Sequence, residues 1–128
     1  MEVREMSQEI TLTASLSAFK TSVMSAPVSR FITGFLFDMN ANFWIEGVIS
    51  VGTSATAIPL GQVTAPHWCY CKNLDGTNFI RIMNGSAGAK VIKLKTVEMA
   101  FFPWDDTATP YAIADTAACL MEYVIFSL

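Results

Sequence analysis

Charge is what this sequence has least of. Only 15% of its 128 residues are Asp, Glu, Lys or Arg, against about a quarter in an ordinary soluble protein. The eight basic residues are spread thinly, and the densest set is the loose trio Lys90, Lys93 and Lys95. A nucleic-acid binder needs a basic stripe to displace counterions, so no direct nucleic-acid contact is expected. No uninterrupted apolar run approaches the ~20 residues that span a bilayer, so no membrane segment is expected either. Histidine occurs once, at position 67. There is no Gly-x-Ser-x-Gly elbow and no Gly-rich loop that carries a lysine and opens a helix. The expectation is a protein without catalytic residues and without a cofactor. Residues 1–9 are charged and no cleavable apolar segment follows them. Synthesis and assembly in a cytoplasm are therefore expected, with the three cysteines as reduced thiols.

What the sequence has in abundance is apolar side chains, 52% of the chain, arranged with a strand period. Ile10, Leu12, Ala14, Leu16 and Ala18 alternate with Thr11, Thr13, Ser15 and Ser17. Period-two alternation puts the first set on one face and predicts a half-buried strand. Phe31 to Phe37 is aromatic-rich around Gly34, where a bulge is expected. Asp38 to Asn42 has turn chemistry, so 31–37 and 43–51 read as a hairpin. Ala57 to Leu60 is a short run broken by Pro59, an edge strand. Trp68 to Asn73 and Asn78 to Met83 flank Asp75-Gly76, a strong hairpin signal. Val91 to Phe102 reads as one long strand, and 112–118 as a loop or single turn. Met121 to Phe126 is apolar on both faces and suits a central position. About eight short strands with regular turn signals predict an all-β fold, an antiparallel β-sandwich that is jelly-roll-like. The domain reading is a mobile arm over 1–8 and one sandwich domain over 9–128.

Few constellations could carry chemistry. Cys69 and Cys71 share one face of a strand, about 6.6 Å apart at Cα. His67 and Cys119 are the only residues that could complete a four-ligand zinc set with them, and zinc usually takes a wider spacing. The competing reading makes the cysteines small core hydrophobes. Asp105 and Asp106 could bind a cation but lack a calcium-loop pattern, and otherwise form a solvated turn. Trp44, Trp68 and Trp104 could form a sugar-stacking platform, or be core and interface residues.

The stretch Val51-Gly52-Thr53-Ser54-Ala55-Thr56-Ala57-Ile58-Pro59-Leu60-Gly61-Gln62-Val63-Thr64-Ala65-Pro66 continues with Lys72-Asn73-Leu74-Asp75-Gly76-Thr77-Asn78-Phe79-Ile80. With Thr-Pro-Tyr at 109–111 and the closing strand from Leu120 to Phe126, it resembles small β-sandwich structural proteins of tailed bacteriophage virions. The resemblance spans roughly residues 45–126. It implies a location in the virion and a capsid decoration (cement) or head–tail accessory role, acting by protein–protein assembly. It transfers no functional residues. Cys69 and Cys71 stand where that pattern more often has aliphatic or aromatic residues. Two alternatives are a carbohydrate- or receptor-binding module on the particle and a small metal-binding enzyme.

The scarcity of charge also predicts assembly. A small domain with so little charge leaves apolar surface in water unless partners cover it. Phe31, Phe35, Phe37, Phe43, Trp44, Phe101, Phe102 and Trp104 are the interface candidates. The expected partners are further copies of the chain, as a trimer or ring, and other virion proteins. The competing reading is a monomer whose surface is polar through Ser, Thr and Ala.

Overall fold

A computed structural model describes residues 10–20, 22–23, 25–37, 43–105 and 107–127. They form ten β-strands and, among the described residues, no helix. The chain divides into two compact units, residues 1–39 and 40–128. Each unit is described by itself, and the arm read over 1–8 lies outside the described residues.

The first unit holds β1 (Ile10–Ala18) and β2 (Val28–Phe37), paired antiparallel. Between Leu12 and Ala14 the register slips, because Phe35 faces Leu12 while Ile32 faces Ala14. The extra residue lies on β2 beside Gly34, whose φ of 59° suits a bulge. The expected bulge is therefore present. The expected hairpin of 31–37 with 43–51 is not, because β2 takes β1 as its partner. The expected half-burial of β1 is not found either: Ile10 is buried, Leu12 is half-buried, and the rest of the strand is exposed.

The second unit holds eight strands in two four-stranded antiparallel sheets. One contains β3 (Trp44–Val51), β5 (Pro66–Asn73), β8 (Met99–Pro103) and β10 (Cys119–Ser127), in the order β3-β10-β5-β8. The other contains β4 (Thr56–Ala57), β6 (Ile80–Asn84), β7 (Lys90–Leu94) and β9 (Pro110–Ala114), in the order β4-β9-β6-β7. Every connection from β3 to β10 crosses between the sheets except the β6–β7 hairpin. That strand order is the jelly roll. As expected, β10 is central and a short strand forms an edge here, though β4 covers Thr56–Ala57 rather than 57–60.

One buried cluster draws on both sheets, so their inner faces pack together. Along β10 the residues Cys119, Met121, Tyr123 and Ile125 point inward in strict alternation. Ile80 and Ile82 of β6 are fully buried, and the small Ala112 and Ala114 of neighbouring β9 share the same layer. Each fully buried isoleucine contributes about 1.5–3 kcal/mol. The sandwich is therefore a conventional apolar core assembled from period-two strands.

Three local readings change here. Asp75-Gly76 does not join a hairpin: β5 and β6 belong to different sheets. The Asp75 carboxylate accepts the backbone N–H groups of Thr77 and Asn78, at 2.9 and 2.6 Å, and the Asn73 side chain accepts that of Asp75. These capped turns redirect the chain across the sandwich. The long strand 91–102 is two strands. A turn at Lys95–Glu98, with Val97 at φ 56° and the Glu98 carboxylate accepting the Lys95 N–H, breaks it and carries the chain to the other sheet. Residues 112–114 belong to β9, because Ala112 and Ala114 fill the core opposite β6, and only 115–117 form bends.

Candidate interaction surface

The candidate nucleophilic and metal-ligating side chains that are described each have a place in the fold. Cys69, Cys71 and Cys119 are buried and unbridged. Burial pushes the Cys69 thiol up to about 12, with a further contribution from neighbouring Cys71, and burial alone does the same to Cys71. The Cys119 thiol is also raised, by burial first and then by Asp75 and Asp115, and it donates to the Ala117 carbonyl at 3.4 Å. His67 lies on β5 in line with the cysteines, but its Nδ1 donates to the Trp104 carbonyl at 3.1 Å. The Trp104 N–H in turn donates to the His67 carbonyl. His67 thereby pins the end of β8 to β5. Among the described residues no group of three His, Cys, Asp or Glu side chains is placed to hold a metal ion. Asp105 accepts the hydroxyl and the backbone N–H of Thr107, which closes its own loop. Asp106 lies outside the described residues.

The outer face of the β3-β10-β5-β8 sheet is different in character. Strand register stacks its outward residues in rows. Trp44, Phe126, Trp68 and Pro103 form one row, and Glu46, Val124, Tyr70 and Phe101 the next. Val48, Glu122, Lys72 and Met99 form the third. Only Glu46, Glu122 and Lys72 carry charge on these twelve positions. Trp44, Val48 and Met99, with Leu120 on the next row, are each more than half exposed. Trp68 and Phe101 stack in parallel, centroids 5.2 Å apart and planes 5° apart. The Tyr70 hydroxyl donates to Glu122 at 3.0 Å, so one of the two acids is tied down within the sheet. Monomeric soluble proteins rarely expose large contiguous apolar patches.

The interface candidates from the sequence separate into groups. Trp44 and Phe43 are exposed near the start of β3. Phe101 is half-buried within the outer face, and Phe102 is half-buried on the inner side against the core. Trp104 corrects the expectation: it is buried in the core, its indole donates to the Ala108 carbonyl at 2.8 Å, and it meets Phe102 edge-on. Phe31 is 74% exposed in the separate strand pair. Phe35 and Phe37 are placed by register only, opposite Leu12 and Ile10, and their side chains lie outside the described residues. Of the three tryptophans only Trp44 and Trp68 share the outer face. Sequence reasoning missed the row made by Trp44, Phe126 and Trp68, because it depends on β3 and β5 flanking β10.

The second sheet carries a smaller feature. Phe79 lies under two cations, Lys93 Nζ at 4.0 Å and the Arg81 guanidinium at 4.9 Å from the ring centroid. A cavity of about 130 Å³ beside it is lined by Thr53, Arg81, Lys90 and Asp115 among others. Small-molecule sites run to about 300–1,000 Å³, so this is a surface dimple. No family model, no curated protein and no solved structure matches this chain.

Proposed function

We propose that this chain is a structural subunit of a tailed bacteriophage particle, a capsid-decoration or head–tail accessory protein that acts by protein–protein assembly. The observation that carries the reading is the outer face of the β3-β10-β5-β8 sheet. There, aromatic and aliphatic residues stand where a monomer in water would place charge. The resemblance of residues 45–126 to small virion sandwiches supports the same reading. So does the jelly-roll strand order, an architecture common among capsid and lectin domains. The partners are further copies of the chain and other virion proteins. The test is composition: purified particles whose genome encodes this sequence should contain the chain in stoichiometric copies, at symmetric positions by electron microscopy. Its absence from such particles sinks the reading. Val48→Lys and Leu120→Lys, each on the exposed outer face, should fold normally and fail to incorporate.

A second reading rests on the Trp44–Phe126–Trp68 row, with Trp68 stacked on Phe101. Planar rings side by side can receive the faces of sugar rings. On this reading the chain is a receptor-binding module of the particle. A glycan-array signal lost in Trp44→Ala would establish it, and silence across the array would leave the assembly role alone.

A further inference from the structure

The edges of the sandwich and the edge of the strand pair are treated in opposite ways. Open edges invite pairing with another chain, and proteins blunt them with shortness, proline or charge. In the sandwich β4 is two residues long, β8 ends in Pro103, β7 exposes Lys90 and Lys93, and β3 carries Glu46. Strand β1 has none of these devices. Its nine residues, ITLTASLSA, include no proline and no charge, and the uncharged run continues to Phe19. One edge of β1 pairs with β2, and the other has no strand partner among the described residues.

The pair also lacks the means to stand alone. A two-stranded ribbon is marginal in water, and independent stability takes a third strand or a covering layer. Register places Leu16 beside Arg30 and Ala14 beside Ile32 on one face. Leu16 is 59% exposed and Ile32 44%. Neither strand edge nor apolar face is closed within the ribbon itself.

Self-complementarity identifies the occupant. In an antiparallel pairing about a two-fold axis, each residue meets the one equally far from the axis on the second copy, so only the central residue meets itself. For β1 no register brings like charges together, because the strand has none. For β2 the registers centred near Arg30 set it against its own copy, which is destabilising. The alternation of β1 then fixes which registers are allowed. Only those that place hydroxyl opposite hydroxyl keep both apolar faces on one side. A pairing centred on Ala14, the middle of the strand, sets Thr13 opposite Ser15 and satisfies this. Cross-strand Thr–Ser pairs are themselves favourable.

We propose that β1 pairs antiparallel with β1 of a second copy of this chain, making a continuous four-stranded sheet β2-β1-β1′-β2′ that joins subunits two by two. The inference rests on the assembly reading and names its self-contact. The sheet carries one apolar face with Leu12, Ala14 and Leu16 from each copy.

Sedimentation of the full chain, free of particles, tests it. The parent chain should sediment as a dimer or a multiple of one. Leu16→Glu should shift it to monomer, and Val91→Glu, on the exposed face of β7, should leave it associated. Single cysteines at Thr13, Ala14 and Ser15 should report the register, since the native thiols are buried: on oxidation at least one should form a covalent dimer in high yield. If Leu16→Glu fails to fold, judged by circular dichroism, the cysteine series decides. A monomeric parent, or three cysteine variants that never cross-link, overturns the pairing. So does an oligomer that survives Leu16→Glu but dissolves with Val48→Glu. None of these results removes the chain from the particle. That reading stands or falls on particle composition, so the two failures can be told apart.

Discussion

The side-chain amide of Asn73, at the end of β5, donates to the backbone carbonyl of Leu94 at 3.1 Å, and so ties one sheet to the last residue of β7 in the other. The same nitrogen lies within reach of the carbonyls of Asn78 and Lys95, at 2.9 and 3.2 Å. Asn73 is fully buried, and its oxygen accepts the N–H of Asp75. One amide thus anchors both crossovers. Asn73→Leu keeps the volume and removes every partner. It should cost on the order of 3 kcal/mol, since each buried group left unpaired costs about 1–3 kcal/mol. The midpoint of urea unfolding measures it, and a loss below 1 kcal/mol would show that the crossovers hold without it.

Gly88 and Gly76 make a matched pair. A Cβ at 88 would stand 1.6 Å from the Asn84 carbonyl oxygen, a backbone atom, whereas at 76 it would meet nothing within 4 Å. Gly88→Ala should force the β6–β7 loop to move and cost about 2–4 kcal/mol. Gly76→Ala should stay within about 0.5 kcal/mol of the parent. Thermal unfolding of the two variants side by side checks the contrast.

The cysteines should be chemically silent while the protein is folded. With the Cys69 and Cys71 thiols pushed up to about 12, the thiolate fraction at pH 8 is roughly one in ten thousand, and burial blocks access as well. A thiol-reactive dye should label none of the three in native protein and all three in urea. Fast labelling of Cys69 or Cys71 in native protein would mean that the core opens there.

Acid should weaken the molecule through two loops. The Asp75 carboxyl is held below the usual range by the N–H groups of Asn78 and Thr77, and that of Asp105 by the hydroxyl and N–H of Thr107. A depressed carboxyl contributes stability above its unfolded value, and that contribution is lost as pH falls through the lower folded value. Melting temperature should therefore drop as pH falls below about 4. Asp75→Asn, which keeps an acceptor oxygen but does not titrate, should flatten part of that drop. An unchanged acid profile in this variant would place the sensitivity elsewhere.

How much of this was legible in the sequence depended on range. Period-two alternation marked β1, apolar residues on both faces marked β10 as central, and Pro59 marked the neighbourhood of the β4 edge, because those signals are local to the chain. Pairing was not legible. Turn chemistry at Asp75-Gly76 suggested a hairpin, yet Asp and Asn side chains can cap a crossover as readily as close a hairpin. The two sheets separate strands that are neighbours in sequence. The break at Val97 was hidden because a β-branched residue rarely takes positive φ, and here the Glu98 carboxylate holds the turn. Trp104 was misjudged for the opposite reason: its aromatic neighbours suggested surface, while its indole N–H finds a carbonyl only inside.

The central place of β10 sets the order in which this protein can be completed. β10 lies between β3 and β5 and pairs along almost its whole length with both. Trp44 meets Phe126 only after everything between them has been made. A chain emerging from a ribosome must therefore hold β3 and β5 apart, their inner faces wet, until the last strand arrives. Contacts this distant in sequence slow folding to milliseconds or seconds and leave unpaired strands exposed meanwhile. A ribosome stalled before residue 119 should present a protease-sensitive nascent chain. Release of the remaining strand should convert it to a resistant one in a single step, since β10 brings its two neighbouring strands together at once.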